Sequence, residues 1–500
     1  MSKGLLWGGR FAAPPSARSL AFMSGRDVEP TPPYDLALAP YDLWVNRAHS
    51  LMLGRTGIVP AASVRHILRA LTTLEERLAA GEFALDPAKE DVHSNVEAMV
   101  TELVGIEHAG HMHTGRSRND QVVTDMRLYL RDRALEAADA ILDLVGALIA
   151  AARDHAMTLM PGFTHHQHAT ATTWGHVTLA YAWAGLRQAQ RLLAFLGTWN
   201  RCPLGSAASY GTTLPINRGL TAELLGFDGP EPNTLDSINS RWETAADLVH
   251  CLASMLTQLS SLSQTLILFS TREFRAVRIP DEYSAGSSIM PQKRNPQALE
   301  AIKAHAVMAQ GAASTLMSLG GHNLFGYNTD QMWTKYVALD AIGGSVASIR
   351  AMAGVIAGLE VNVERLRELA SRDFLGSTAL AEALVSDGGV PFRIAKQVVE
   401  KAVALSEQSG EEQVTEEALR CSLAERGVEV DADLCTLVES QRAEAAVARL
   451  LHAGGAAPER VLESCGEAEG LRAALAVEVA GRAQAVRDAH AACREACDAF

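Results

Sequence analysis

Leu248, Leu252, Met255, Leu259, Leu262 and Leu266 follow Arg241 at alternating steps of four and three residues. That spacing is the seam of a long helix packed nearly parallel to its neighbours, so the chain must supply other helices of similar length to bury it. Leu299, Ile302, Ala306 and Met317 follow Pro296 at helical spacing and offer a second. From about Asp120 to Val361 the texture is that of several long helices. They are interrupted by PGFTHHQH (Pro161 to His168), a Gly/Pro-rich span from Pro203 to Asn233, GSSIMPQKRNP (Gly286 to Pro296) and GGHNLFGYN. The fold class expected is all-α with a central long-helix bundle. Apolar character on more than one face of such helices exceeds what a small monomer buries, so the bundle is expected to be shared between subunits. The first hundred residues read as loops and short helices, and shorter helical segments are expected beyond Asn362, with starts at GVPFRIA and AGGAAPERV.

The 500 residues are 48% hydrophobic, enough for two or three domains. Acidic residues outnumber basic ones, 58 to 44, and the formal charge of −14 repels polyanions. Nucleic acid is therefore not an expected partner, and an anionic ligand must meet a local concentration of positive charge. Seven cysteines show no metal-ligand spacing and are too sparse for a disulfide framework, with Cys493 and Cys497 one helical turn apart. No run of about 18 apolar residues and no N-terminal apolar leader is present, so the expected compartment is the cytoplasm, with no membrane partner.

Chemistry concentrates in the interruptions. In GSSIMPQKRNP, Pro291 and Pro296 forbid a helix between them, leaving paired serines, Lys293 and Arg294 on a loop. An ordinary surface loop with helix-capping serines would look the same in isolation. HMHTGRSRNDQ places Arg116, Ser117, Arg118 and Asn119 just before a long helix, where guanidinium forks and helix-end amides suit a carboxylate. PGFTHHQH adds Thr164, His165, His166 and His168 at a turn expected to precede another helix. Neither the 165/166/168 histidines nor His108, His111 and His113 have HExxH spacing, so no metal is expected. No glycine-rich strand-turn-helix pattern supports a nucleotide, and no cofactor is expected.

Together these segments resemble the argininosuccinate lyase family of the aspartase/fumarase superfamily. LWGGRF, EDVHSNVE (Glu90 to Glu97), HTGRSRNDQ, PGFTHHQ, CPLGS, GSSIMPQKRNP, YNTD (Tyr327 to Asp330) and GVPFRIA occur in that family's order. The resemblance implies a three-domain subunit, with expected boundaries 1–118, 119–365 and 366–500, whose central helices form the core of a homotetramer with active sites shared between subunits. It implies reversible β-elimination of fumarate from an N-succinyl adduct, with a small dicarboxylate as substrate. Ser287 matches the catalytic serine, His165 belongs with acid/base work, Lys293 with activation of the serine, and Glu300 matches the acidic residue past the loop. Ser117, Arg118, Asn119, Thr164, Gln167, Asn295, Tyr327 and Asp35 are the implied substrate contacts, and His93 is either another contact or a structural histidine.

The pattern also fails in places. The family's lysine after tyrosine-asparagine is Thr329, and its nearby glutamine is Met332. SDRDF stands as NSRWE, placing Ser240 where an aspartate is usual, SRLAEDL stands as SSLSQTL with Gln264, and THLQRAQP stands as THHQHATA. Ser24 is separated from Tyr34 and Asp35 by an extra Pro-rich stretch. Either compensating changes preserve argininosuccinate cleavage or the amine side accepts a different N-succinyl compound; a catalytically silent structural paralogue is the third reading.

Overall fold

The computed structural model describes Ser16, Ser19, Phe22, Met23 and residues 32–500. LWGGRF and Ser24 lie outside these residues. The chain is dominated by helices: α1 (Ala39–Arg55), α2 (Ala61–Ala79), α3 (Val92–Val104), α4 (Arg118–Asp154), α5 (Trp174–Trp199), α6 (Arg241–Phe269), α7 (Gln297–Gly320) and α8 (Thr334–Ala357). The long-helix bundle read from the sequence is present. All six seam residues of α6 are at most 1% exposed, and each contributes about 1.5–3 kcal/mol by leaving water. On α7 Leu299, Ile302, Ala306 and Leu316 are among the buried positions, whereas Met317 is 61% exposed. The expected seam therefore holds for its first three residues and slips by one at the end, because a helix advances 3.6 residues per turn and the stripe drifts.

Neighbouring bundle helices run antiparallel. Trp199 Nε1 at the end of α5 donates to Asp247 near the start of α6 at 2.8 Å, and the Trp174 ring at the start of α5 lies 6.2 Å from Phe269 at the end of α6. Gln310 of α7 donates to Thr257 of α6 at 2.8 Å. At the far end of that pair a Cβ on Gly320 would meet the Trp242 ring at 2.1 Å, so the two helices approach this closely only because residue 320 lacks a side chain.

Two expectations change. PGFTHHQH is not a simple turn before a helix: it is the tip of a β-hairpin, β1 (Leu159–Thr164) paired antiparallel with β2 (Gln167–Thr173), before α5 begins. Nor are the early and late helices all short. Helices α1 and α2 have 17 and 19 residues, and a 41-residue helix, α9 (Pro458–Asp498), is the longest of the described elements. It returns to the bundle, burying Val461, Cys465, Ala468, Leu475 and Val479 in the main core, while Cys493 and Cys497 pack into a second cluster with Trp44 and Leu128. Between these, Leu380 to Leu437 build a separate apolar cluster. Helix α6 and residues 329–357 are long and apolar enough to cross a membrane, but 50% and 61% of their apolar stretches are buried inside the protein.

Candidate active site

The sequence-predicted residues fall at the two ends of this bundle. At one end the hairpin and the 286–295 loop lie beyond the last turn of α6. The loop is pinched at its base by an antiparallel bridge, Asn295 N–H to the Ala285 carbonyl at 2.7 Å and Ala285 N–H to the Asn295 carbonyl at 2.9 Å. Asn295 Nδ2 also donates to the Gly286 carbonyl at 3.2 Å, and Lys293 Nζ donates to Asn295 Oδ1. Inside the loop Ser287 Oγ accepts the backbone N–H groups of Ile289 at 3.3 Å and Met290 at 3.0 Å. Two amide dipoles aimed at one hydroxyl oxygen favour its deprotonated form, the requirement for a serine acting as base. Glu300 is exposed on the first turn of α7.

The hairpin tip carries the other candidates at this end. His165 and His166 occupy its two turn positions at φ 53° and 60°. Positive φ at both central residues is the geometry of a type I′ two-residue turn, for which Asn-Gly is the usual sequence. Two histidines there cost of order 1–3 kcal/mol each, and such strain persists where a side chain must be presented. Thr164 pairs with Gln167 across the turn, and all four residues are exposed. His168 turns away to Asp373, so the three histidines do not converge. Among the described residues no hydrogen bond or ion pair joins the hairpin tip to the 286–295 loop.

The opposite end is densely hydrogen-bonded. Ser117 caps α4 in a capping box, its Oγ accepting Asn119 N–H at 3.3 Å while Asp120 accepts Ser117 N–H at 2.9 Å. The second oxygen of Asp120 accepts Gly205 N–H at 2.9 Å and Ala207 N–H at 2.8 Å, which ties the CPLGS segment to the start of α4. Arg118 reaches Glu90 at 2.9 Å and Asp91 at 3.2 Å on the surface. Asp35 accepts Val92 N–H at 3.1 Å and pairs with Lys335. His93 is 6% exposed, its Nδ1 2.7 Å from Asp42 and 3.5 Å from Asp125.

Asp42 and Asp125 were missed in the sequence because single acidic residues on a helix look solvated. Burial opposes ionisation of Asp42, but His93 and Arg116 hold its carboxyl below the ordinary range. Burial together with the Asp42 charge holds the Asp125 carboxyl well above that range, which favours its protonated form. Asp42, His93 and Asp125 have the reach to ligate a cation. Gln121 Nε2 donates to Asp42 at 2.6 Å, and Arg116 supplies positive charge beside the same carboxylate.

Two more cations escaped the sequence reading. Arg241 opens α6, is 5% exposed, and its Nε and Nη1 have no hydrogen-bond partner among the described residues. Burial lowers its pKa to about 10, against Tyr327 and Asp35, which raise it. Lys335, also 5% exposed, lies 5.3 Å over the Tyr336 ring as well as beside Asp35. Thr329 is exposed and Met332 half-buried in the adjoining turn. The sequence signal for both cations was their position beside recognised motifs, NSRWE and YNTD.

The half-sites do not meet within one chain. The 29 residues of α6 separate them by about 42 Å at 1.5 Å per residue.

The bundle carries hydrogen-bond donors and cations at one end and a loop serine at the other, and a family model described as a lyase matches residues 41–311. The chain is 38% identical over 403 residues to an argininosuccinate lyase of Bartonella bacilliformis, covering 81% of this chain and 85% of that one. It is 39% identical over 405 residues to an argininosuccinate lyase of Jannaschia sp., covering 81% and 83%. An EDDS lyase variant with bound fumarate superimposes with a TM-score of 0.88 over 97% of this chain and 96% of that one, at 26% identity. The chain belongs to the argininosuccinate lyase family.

Proposed function

We propose that the chain is a carbon–nitrogen lyase that releases fumarate from an N-succinyl adduct, with argininosuccinate as the substrate that its curated relatives' name specifies. The observation that carries this reading is the Ser287 hydroxyl held by two backbone N–H groups in a loop that also positions Lys293 and Asn295. Ser287, as alkoxide, takes the proton from the carbon beside a carboxylate. The electron pair moves into that carboxylate as an aci-dianion, which needs pre-placed donors such as Lys293, Asn295, Thr164 and Asn119. The pair then returns to form the carbon–carbon double bond as the carbon–nitrogen bond breaks. His165 delivers a proton to the departing nitrogen, leaving fumarate and a neutral amine or guanidine.

A working site on this reading needs more than one copy of the chain. The distance between half-sites supports an assembly of several copies, on this reading a homotetramer as in the family, in which the Ser117 end of one subunit meets the loop of another. A second reading, cleavage of a different N-succinyl amine, is favoured by Thr329 and Met332 on the amine side and by the shape shared with EDDS lyase. The test is to supply fumarate with a panel of amines, amino acids and guanidines, arginine included, and detect adducts by mass. An arginine adduct supports the first reading and an adduct with another amine alone the second. No adduct with any nitrogen compound, together with no fumarate from argininosuccinate, overturns both.

A further inference from the structure

Behind the stem of the 286–295 loop lies a cavity of about 510 Å³ walled by Arg272, Arg275, Arg278 and Arg294, with the hydroxyls of Ser270 and Thr271 beside them. Four guanidinium groups around one cavity stand out in a chain of net charge −14. The acidic groups nearby are already engaged. Glu360 pairs with Arg278 at 2.6 Å, and Asp281 is reached by Arg278 at 3.2 Å and by Arg294. Arg272 and Arg275 have no carboxylate within ion-pair distance among the described residues.

The backbone supplies a separate sign of a built site. Arg275 sits in the left-handed region at φ 51°, which a non-glycine residue adopts only under constraint. Its surroundings hold it there: Arg275 N–H donates to the Thr271 carbonyl at 2.8 Å, and Asn362 Nδ2 donates to the Arg275 carbonyl at 3.1 Å. Arg365 fixes the same turn through the Phe274 carbonyl at 3.0 Å and the Glu273 carbonyl at 3.2 Å. A strained arginine over-determined in this way is positioned, and its side chain lines the cavity. Planar guanidinium forks match the paired oxygens of a phosphoryl group.

We propose that this cavity binds a small phosphate-bearing ligand, organic or inorganic, that regulates the adjacent loop. Ser287 and Lys293 do not line it, but Arg294 does, one residue from the Asn295 bridge that closes the loop stem. A phosphoryl group shared by Arg272, Arg275 and Arg294 draws Arg294 from Asp281 and ties the stem to the 272–275 turn. The stem is then held in one place and turnover falls.

The test titrates the full-length wild type, Ser287→Ala and an Arg272→Ser/Arg275→Ser double variant with inorganic pyrophosphate and with adenosine monophosphate by calorimetry. One site per chain is expected in the wild type and in Ser287→Ala, and at least tenfold weaker binding in the double variant, whose substituted residues are exposed and whose fold circular dichroism checks. Tighter adenosine monophosphate binding supports an organic phosphate, and tighter pyrophosphate binding a free inorganic one. Absent binding, binding indifferent to the double substitution, or binding lost in Ser287→Ala overturns the site. The regulatory half rests on the fumarate-releasing reading: saturating ligand is expected to lower kcat severalfold at unchanged KM in the wild type and not in the double variant. Binding without a change in kcat refutes control of the loop while leaving both the site and the lyase reading standing.

Discussion

Nδ1 of His168 lies 2.8 Å from Oδ2 of Asp373, so a polar contact ties the hairpin that presents His165 to a turn whose residues, Asp373 and Phe374, are themselves left-handed at φ 53° and 54°. The Phe163 ring meets the His168 ring edge-on at 5.2 Å and braces the same strand pair. Where the family segment carries arginine, this chain has the shorter histidine. The Asp373 side chain is 65% exposed, so the pair contributes only about 0.2–1 kcal/mol. We predict that His168→Ala lowers kcat about threefold through a looser His165, and that His168→Arg restores it. A double-mutant cycle with Asp373→Asn should give a coupling of about 0.5 kcal/mol. Unchanged kcat in His168→Ala would remove this contact from hairpin positioning.

Acid sensitivity follows from a second histidine. His49 is 1% exposed with Nε2 2.8 Å from the Thr114 carbonyl, and burial plus the Arg116 charge push its pKa down to about 3 from 6.5. The imidazole is thus neutral in the folded chain and takes a proton in the unfolded one. Its stabilisation is complete above 6.5 and is lost as pH falls toward 3, with a slope of up to about 1.4 kcal/mol per pH unit. Urea midpoints measured between roughly pH 7 and pH 5 should fall steeply in the wild type and less so in His49→Gln. Parallel curves for the two proteins would show that His49 does not govern the acid limb.

Because the half-sites stand about 42 Å apart on one chain, two inactive variants should complement each other. Ser287→Ala disables the loop end and Asn119→Ala the opposite end. If each site draws these ends from different subunits, random reassembly of an equal mixture gives both native residues at about one site in four. Activity near a quarter of wild type is expected after co-refolding. A mixture that stays as inactive as its parents would mean that each chain completes its own site.

The bundle was legible because its signal is periodic: the six-residue seam of α6 can be buried in one way only. The loop chemistry was legible because serine, lysine and asparagine between two prolines leave little choice but an exposed turn. Other features were hidden for physical reasons. The hairpin is short, and its histidine pair does not carry the glycine that marks such turns. The 41-residue α9 carries Gly466, Gly470 and Gly481 and a mostly exposed face, which weakens its helical pattern. Asp42, Asp125, Arg241 and Lys335 are buried ionisable groups whose surroundings come from distant parts of the sequence, and no local pattern separates them from surface polar residues.

The most direct test of the account compares wild type and Ser287→Ala with argininosuccinate, following fumarate by its ultraviolet absorbance. Loss of the activated hydroxyl is predicted to lower kcat by about a thousandfold or more, with assembly and fumarate binding unchanged. Fumarate release by Ser287→Ala at the wild-type rate would contradict it.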